Sequence, residues 1–420
     1  MQVKISRGCD MGLVGSPEQA IHDGPVVRSV ALSGVDYPGM RPKFAVAEGD
    51  RVSVGQVLFI DRKRTEIAFV SPLAGIVAAI DRGPRGTLSA LVIRQDDVDV
   101  SADAEPVCRA TGQEVRQTLL ARGLWPAFLT RPFGRVPAPD AKPDAIFVTA
   151  TDTNPLAADP RVVLEPQLDM FRRGVELLTM LTDKQVYVCQ SPGADLVERS
   201  DRVRTVSFSG PHPSGLAGTH VHRLHPLGMG DQVWTIGCQD VAAIGDLFET
   251  GCYRPERVIA LAGPRISRPR LIRTVLGANI DDLTKGEKTR AEGSAKVLSG
   301  SVLAGRDATY LGRHHWQVSA VDSPPTVRKP SLLERLNARR ASQSPRPLIP
   351  TEALEGVLPA GLLPVPLMRA LSVGDAEAAQ RLGCLSLVEE DLALLSCLCT
   401  SGADYGGLLR DVLDELAEAA

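Results

Sequence analysis

The sequence predicts a multidomain protein of the α/β and β classes, with small β-rich modules around a domain built on a parallel sheet. The chain has 420 residues, enough for about two to four domains with substantial cores. Short apolar runs interrupted by Gly and Pro fill the first hundred residues, a pattern typical of compact β structure. From residue 145 onward, candidate buried strands alternate with candidate helices, which favours a doubly wound sheet.

The composition is that of an ordinary globular protein. Apolar residues make up 44% and the formal net charge is −3, so the chain has no general attraction for nucleic acid. No run approaches the roughly 18 apolar residues that span a bilayer, and the first ten residues lack the apolar core of a signal peptide. A cytoplasmic location without a transmembrane segment is therefore expected. The eight cysteines include no C-x-x-C pair, so we expect packed thiols rather than a zinc or iron–sulfur motif.

Residues 46–77 predict a compact β-sandwich with a protruding hairpin. Turns at Gly49 and Gly55 precede an apolar strand at 56–60, a charged tip at 61–66 and a return strand at 67–70. This pattern resembles the biotinyl/lipoyl carrier domain, in which the hairpin tip carries a modified lysine. The corresponding lysine here is Lys63, which allows either a carrier modified at this position or an ordinary solvated tip. The basic Asp-Arg-Lys-Arg sequence favours the solvated tip.

The middle of the chain predicts a Rossmann-like domain over residues 145–262. A helix is expected before it at 111–122, because Thr111 can act as the N-cap and Glu114 completes a capping box. The Pro-rich segment 124–144 should be irregular. The strands expected in the Rossmann-like domain are 145–150, 185–189, 204–209, 232–236 and 257–261, and its expected helices are 167–181 and 241–249, the second ending at Gly251.

The last third of the chain predicts a small mixed unit and then helices. A short helix is expected over 269–278, capped by Gly277, and a strand over 297–303. Residues 322–328 carry a linker signal with two adjacent prolines. Further helices are expected at 331–340, 375–381, 389–398 and 406–417.

The turn after the first strand of the Rossmann-like domain argues against a dinucleotide site. Residues 147–155 read FVTATDTNP, so hydroxyl side chains, Asp152 and Asn154 stand where glycines would admit a pyrophosphate. Asx-turn and N-cap hydrogen bonds are the preferred explanation for these residues.

Four of the seven histidines lie in the run PHPSGLAGTHVHRLHP: His212, His220, His222 and His225. The spacing of His220 and His222 suits a strand better than one face of a helix. No Cys or acidic residue within the run completes a metal site, so loop and packing histidines are preferred to a metal centre. The adjacent pair at 314–315 would direct its rings apart in a strand. We assign no catalytic residue and no metal ligand.

Two loops carry side chains suited to a flat apolar ring. Aromatic and Met side chains can cover such a ring, while Arg can donate a hydrogen bond to a carbonyl oxygen. Packing between domains is the alternative explanation for both loops. The candidate binding residues are Tyr37, Met40, Arg41, Phe128, Arg131 and Phe133.

Six segments in order along residues 5–409 resemble the NqrA family, the A subunits of the sodium-translocating NADH:quinone oxidoreductase. One departure is CTSG at 399–402, where members often have CPGK, so the lysine of that loop is missing here. The related C subunit of the Rnf complex carries Cys-rich iron–sulfur motifs that this chain lacks. The six segments are GMRP (39–42), FVTATDTNPLAADP (147–160), GPHPSGLAGTHVH (210–222), IGCQDVAAIGDLFETG (236–251), LAGPRISRPRLIRTVLGA (261–278) and PVPLMRALSVGDAEAAQRLGCLSLVEEDLALLSCLC (364–399).

The resemblance implies four structural parts. They are a barrel-sandwich (biotinyl/lipoyl-like) module at 1–104, a Rossmann-like domain at 105–261, a β-grasp (SLBB-like) module at 262–322 and a helical C-terminal region at 323–420.

The resemblance also implies a role as a peripheral subunit on the cytoplasmic face of a bacterial inner membrane. The chain would help the membrane-embedded B subunit to form the ubiquinone-reduction site, in a complex that also contains the C, D, E and F subunits. Ubiquinone would be the substrate, while NADH, FMN, FAD and iron–sulfur centres would bind to partner subunits and no cofactor would bind tightly here. The alternatives are a carrier modified on Lys63, an electron-transfer subunit like Rnf C, and a purely structural scaffold.

Overall fold

The computed structural model describes residues 1–83, 86–96, 110–228, 230–289, 295–322, 347–359 and 361–419. The strands within these residues are β1 (Gln2–Lys4), β2 (Glu18–Asp23), β3 (Ser29–Ser33), β4 (Pro42–Phe44), β5 (Arg51–Val52), β6 (Val57–Asp61), β7 (Arg64–Val70), β8 (Gly75–Arg82), β9 (Leu88–Gln95), β10 (Leu129–Arg131), β11 (Ala145–Ala150), β12 (Gln185–Gln190), β13 (Val203–Ser209), β14 (Val233–Gly237), β15 (Glu256–Ala262), β16 (Arg270–Val275), β17 (Ala295–Ser299) and β18 (Gln317–Asp322).

The α-helices of the same residues are mostly short. None of them, in the part of the chain that is described, combines the length and apolarity that crossing a bilayer requires. They are α1 (Gly112–Ala121), α2 (Pro160–Leu164), α3 (Leu168–Thr179), α4 (Ala217–Leu224), α5 (Cys238–Thr250), α6 (Ile280–Thr284), α7 (Glu352–Glu355), α8 (Pro364–Val373), α9 (Ala376–Arg381), α10 (Ala393–Leu398) and α11 (Tyr405–Ala419).

The barrel sandwich consists of two small antiparallel sheets, with strand orders β3-β9-β8-β5 and β4-β6-β7. Apolar side chains from both sheets, among them Phe59, Phe69 and Leu91, share one core. The predicted hairpin forms from β6 and β7, and Lys63 is exposed in the turn between them. Asp61 shapes this tip, because its Oδ1 atom accepts hydrogen bonds from the backbone N–H groups of Arg41 and Lys63.

The α/β unit is built on a six-stranded sheet with the order β1-β13-β12-β11-β14-β10. Neighbouring strands from β1 to β14 run parallel, and β10 closes one edge in the antiparallel sense. The strands predicted at 145–150, 185–189, 204–209 and 232–236 are confirmed as β11 to β14. The predicted helices are confirmed as α3 and α5, and Gly251 ends α5 in the left-handed conformation.

The fifth predicted Rossmann strand belongs to a different sheet. Residues 257–261 do form a strand, but β15 lies in a five-stranded sheet with the order β17-β18-β15-β16-β2. Six consecutive residues of β15 are buried because the strand lies in the middle of that sheet, covered on both faces. An apolar run of this kind does not reveal which sheet it will join. The first residues of the chain also enter other sheets, since β1 pairs with β13 and β2 with β16.

The helix predicted over residues 269–278 is wrong, because Arg270–Val275 forms strand β16. This strand pairs antiparallel with β15 and parallel with β2, so its backbone hydrogen bonds come from two neighbouring strands. Gly277 ends the segment with a φ of +68°, and a Cβ there would lie 2.2 Å from the carbonyl oxygen of Ala31. The strand predicted over 297–303 ends earlier than expected, because β17 ends at Ser299.

The C-terminal helices enclose a second core, with Leu367, Met368, Leu395 and Leu409 among its buried members. The helices predicted at 375–381 and 406–417 are confirmed as α9 and α11. The segment predicted at 389–398 begins as a 3-10 turn at Glu389–Leu392 and continues as α10. The helix predicted at 331–340 lies outside the described residues, as does the predicted linker beyond Asp322.

Helix α1 begins with the predicted capping box and carries the residue that anchors the Pro-rich segment after it. That segment is not irregular throughout, because it contains strand β10, which pairs with β14. The Thr111 Oγ1 atom accepts from the Glu114 N–H at 3.3 Å, and the Glu114 carboxylate accepts from the Thr111 N–H at 2.7 Å. Arg116 lies 5.1 Å from the Trp125 ring and 5.8 Å from the Trp234 ring. Its guanidinium also donates to the carbonyl oxygens of residues 139, 141 and 181.

We expect Arg116→Gln to lower the free energy of unfolding by about 1–3 kcal/mol, because cation–π contacts and hydrogen bonds to carbonyl groups are lost together. Urea denaturation followed by tryptophan fluorescence measures the change. The matched control is Arg122→Gln at the exposed end of the same helix, which should change little. Equal effects of the two substitutions would contradict an anchoring role for Arg116.

Candidate functional site

A half-open cavity lies where the barrel sandwich, the α/β unit and the five-stranded sheet meet. Its enclosed part measures about 30 Å³, and about 430 Å³ is reached only when the open space at its mouth is included. Residues from all three parts line it, including Tyr37 of the barrel sandwich, Tyr253 after α5 and Arg313 before β18. The enclosed part alone has room for about two water molecules, so a ring-sized ligand would lie largely in the open mouth.

Aromatic side chains form one wall of the cavity. The Tyr37 and Phe69 rings meet edge to face with centroids 4.8 Å apart, and Phe69 stacks on Phe59 at 4.6 Å. Burial raises the pKa of Tyr37 and also that of Tyr253. Both hydroxyl groups therefore stay protonated at neutral pH and can donate a hydrogen bond.

A buried cluster of charges lies behind the cavity. The Asp240 carboxylate accepts from the Arg257 guanidinium at 2.5 Å and from the two terminal nitrogens of Arg313 at 2.8 and 3.2 Å. Burial by itself would raise the pKa of Asp240, but Arg313 and Arg257 together hold it below its usual value. The carboxylate is therefore ionised and holds Arg313 at the cavity wall.

A second ion pair connects the barrel sandwich to the same place. Asp36, which also lines the cavity, pairs with Arg306 at 2.5 Å, and its other oxygen accepts from the backbone N–H of Arg313 at 3.0 Å. The adjacent His314 and His315 lie at the end of a turn and directly after it, shortly before β18. Burial lowers the pKa of each to about 4, so both imidazoles are neutral at pH 7.

Of the first predicted loop, one residue reaches the cavity. Tyr37 lines it, Met40 packs partly buried against the adjoining core, and Arg41 is exposed. Pro126 of the second predicted loop lines the same cavity, so the two loops do lie side by side.

The three predicted residues of the second loop face away from the cavity. Phe128 is fully buried between Trp125 and Trp234, with ring centroids 5.5 and 5.4 Å away. Arg131 donates to Asp391 at 2.5 Å and thereby joins the α/β unit to the C-terminal helices. Phe133 packs against the core of those helices. These three residues therefore pack between or within domains, which was the alternative explanation that the sequence allowed for this loop.

The carboxyl edge of the parallel sheet, where doubly wound domains usually bind ligands, is filled by the chain itself. The expected Asx turn is confirmed, because Asp152 Oδ1 accepts from the backbone N–H of Asn154 at 2.8 Å. Thr153 Oγ1 accepts from the N–H of Gly215 at 2.9 Å, and a Cβ at Gly215 would lie 2.5 Å from the Thr153 nitrogen. Such close packing leaves no room for a pyrophosphate between these two loops.

The histidine run is helical where the sequence indicated a strand. Residues 217–224 form α4, whose buried face, including His220 and Val221, packs beneath the sheet. The His220 ring lies 4.2 Å from the Phe208 ring, and its Nε2 atom is 3.0 Å from the Ser214 carbonyl oxygen. His212 contacts Thr153 Oγ1 at 3.3 Å. The described residues contain no group of three or more His, Cys, Asp or Glu side chains placed to hold a metal ion.

Sequence reasoning missed Arg313, Asp240 and Tyr253. A signal for Asp240 is present, since this acidic residue directly precedes the apolar residues of the helix predicted at 241–249 and needs a cation if it is buried there. Arg313 carries no comparable signal, because only the fold brings it to Asp240, 73 residues away.

We expect Asp240→Asn to destabilise the protein by about 3–5 kcal/mol, because two buried guanidinium groups would lose their shared carboxylate. Chemical denaturation measures the effect. The matched control is Asp246→Asn on the same helix, whose partner Arg254 is half exposed and can be solvated. A cost for Asp240→Asn no larger than that of the control would contradict the central role of Asp240.

We expect stability to fall between about pH 6.5 and pH 4. Burial lowers the pKa of His220 to about 3 and that of His314 and His315 to about 4, against 6.5 for an unperturbed histidine. The unfolded chain therefore binds protons first as the pH decreases, which costs up to about 1.4 kcal/mol per pH unit for each histidine. Thermal unfolding across this range measures the slope. His220→Gln should reduce the slope, whereas His22→Gln on exposed strand β2 should leave it as it is.

Three family models match the chain. The NqrA N-terminal barrel-sandwich hybrid domain matches residues 3–96, the NqrA second alpha/beta domain matches residues 110–253, and the NQRA C-terminal domain, of the SLBB type, matches residues 258–309. Together with the observed sheets and helices, they confirm the predicted fold class.

Several curated relatives match over their full length. Proteins named as the A subunit of Na(+)-translocating NADH-quinone reductase are 44% identical in Neisseria meningitidis serogroup A, 43% in Cellvibrio japonicus and 44% in Pseudomonas aeruginosa, each match covering 99% of both chains. A crystal structure of an NAD+-reducing [NiFe]-hydrogenase is 12% identical and covers 75% of this chain and 62% of that chain, at a TM-score of 0.39. That score is too low to support a conclusion. The relatives and the family models show that this chain belongs to the NqrA family.

Proposed function

We propose that the chain is a peripheral subunit of a Na+-translocating NADH:quinone reductase and helps to form its ubiquinone-reduction site. Electrons would pass from NADH to ubiquinone in this complex while sodium ions are exported. Membership of the NqrA family supports the assignment to the complex. The cavity beside Tyr37 is the observation that supports a place at the quinone site.

The chemistry of the cavity suits a substituted quinone ring. Tyr37 and Phe69 present aromatic surface, while Leu276 and Leu311 add aliphatic surface. The hydroxyl groups of Tyr37 and Tyr253 can donate to the ring carbonyls, which accept hydrogen bonds but cannot donate them. Apolar walls with a few placed donors are the usual features of a site for such a ligand.

We place the partner subunit at the mouth of the cavity. The membrane-embedded B subunit would supply the membrane-side part of the quinone site, and the complex, with its C, D, E and F subunits, would present this chain on the cytoplasmic face of the inner membrane. NADH, flavins and iron–sulfur centres would be held by partners. Within this chain, the functional division would follow modules 1–104, 105–261, 262–322 and 323–420.

The predicted residues then divide into two roles. Tyr37 would contact the ring, and Met40 with exposed Arg41 would face the partner or the quinone tail beside it. Phe128, Arg131 and Phe133 would support the site indirectly, by fixing the second loop against the α/β core and the C-terminal helices.

A photoreactive ubiquinone analogue should label peptides that contain Tyr37 or Tyr253 in the purified complex. Tyr37→Phe and Tyr253→Phe should each raise the KM for ubiquinone about fivefold, because one hydrogen bond of roughly 1 kcal/mol is lost. Reduction of an artificial acceptor by NADH should be unchanged. The matched control is Tyr187→Phe on β12, where the ring stacks on Phe147 far from the cavity. Labels confined to other subunits would contradict the proposed quinone site.

A further inference from the structure

The buried charges behind the cavity do not cancel. Arg257, Arg313 and Asp240 are almost completely inaccessible, with side-chain exposures of 2%, 6% and 1%. Two guanidinium cations thus share one carboxylate, and two positive charges minus one negative charge leave a net charge of +1. An uncompensated charge in a region that excludes water strongly favours a nearby negative charge.

Among the described residues, the groups around this cluster do not supply that negative charge. Asp36 is the only acidic residue among those lining the described cavity, and its charge is balanced by Arg306 at 2.5 Å. His314 and His315 are neutral, as are the hydroxyl groups of Tyr37 and Tyr253. The Trp316 ring lies 5.6 Å from the Arg257 guanidinium, which provides a favourable quadrupole but no charge.

The excess charge faces the cavity through Arg313. Asp240 occupies two of the five N–H donors of this guanidinium, which leaves further donors at the cavity wall. Arg257 does not line the cavity, and it pairs with Asp240 behind the cavity wall. It can therefore influence a ligand only through its electrostatic field. The contribution of charge can therefore be separated from that of direct contact by changing Arg257.

We infer that the cavity selects ring ligands that carry a delocalised negative charge, such as ionised hydroxyquinones, over neutral quinones of the same size. This inference rests on the proposed function, because it takes the cavity beside Tyr37 as the ring-binding site. The inference specifies which class of ring binds most tightly. It also names the residues that determine this selectivity: Arg313, which lines the cavity, and Asp240 and Arg257 behind it.

The test is a competition experiment on the purified complex. The photoreactive ubiquinone analogue labels the Tyr37 and Tyr253 peptides, and three competitors are compared: 1,4-naphthoquinone, its 2-methoxy derivative and its 2-hydroxy derivative. Only the 2-hydroxy compound is an anion at neutral pH, while the methoxy compound matches it in size. The anion should displace the label at a concentration on the order of tenfold lower than either neutral ring, because a buried cation favours the charged form.

Charge variants identify the cause of the preference. Arg257→Gln removes the excess charge without changing the cavity lining, and the ratio between anion and neutral rings should then fall to about one. Arg306→Gln lowers the net charge around the cavity by the same amount, and Arg306 is 31% exposed. This variant therefore provides the test if the Arg257→Gln protein does not assemble into the complex. The matched control is Arg273→Gln on β16, an exposed arginine paired with Asp23, which should keep the wild-type ratio.

Each outcome supports or overturns one statement. Equal potency of the three competitors on the wild-type complex would overturn the inference and leave the quinone site standing. A preference for the hydroxy compound that persists in both charge variants would attribute it to hydrogen bonding and would also overturn the inference. Absence of labelling at Tyr37 and Tyr253 would remove the proposed function itself, and with it the basis of the inference.

Discussion

The arrangement of the modules depends on the carboxylate of Asp240. This side chain comes from α5 of the α/β unit, and it holds Arg257 of the central strand β15 and Arg313, which precedes β18 in the five-stranded sheet. The backbone of Arg313 in turn donates to Asp36 of the barrel sandwich. Because buried charges are tolerated only with their partners in place, the three modules have one low-energy arrangement at this junction.

The cavity is a consequence of that junction. None of the modules contains it alone, since its aromatic wall comes from the barrel sandwich and its cation from the five-stranded sheet unit. The usual ligand position of a doubly wound sheet would be the carboxyl edge between β11 and β14, where the strand order reverses. Here Thr153 packs on Gly215, and Trp316 leaves no space for a side chain at Gly237. The edge has become an interface between modules, and the available concave surface lies at the junction.

Features fixed by local sequence were predictable. The capping box of α1, the hairpin tip at Lys63 and the strands β11 to β14 all follow from patterns within about a dozen residues. The errors concern partners that local sequence does not specify. Residues 270–275 are a strand because β15 and β2 provide hydrogen bonds on both sides, and β15 itself could have joined either sheet. Of the candidate site, Tyr37 was identified from residue type, whereas Arg313 and Asp240 required the fold.

Residue type alone does not distinguish the structural role of Arg131 from the ligand-binding role proposed for Arg313. The number of carboxylates paired with each arginine does distinguish them. Arg131 is buried with a carboxylate of its own, Asp391, 260 residues away, and Glu390 lies 3.4 Å from its guanidinium. Its positive charge is therefore balanced by the carboxylate with which it joins the C-terminal helices to the sheet. Arg313 shares its carboxylate with Arg257, so within the described part of the chain one positive charge is left without a partner beside an open cavity. A buried arginine that shares its carboxylate is therefore the stronger candidate for contact with a ligand, because a bound negative charge would balance the positive charge that the described residues leave over.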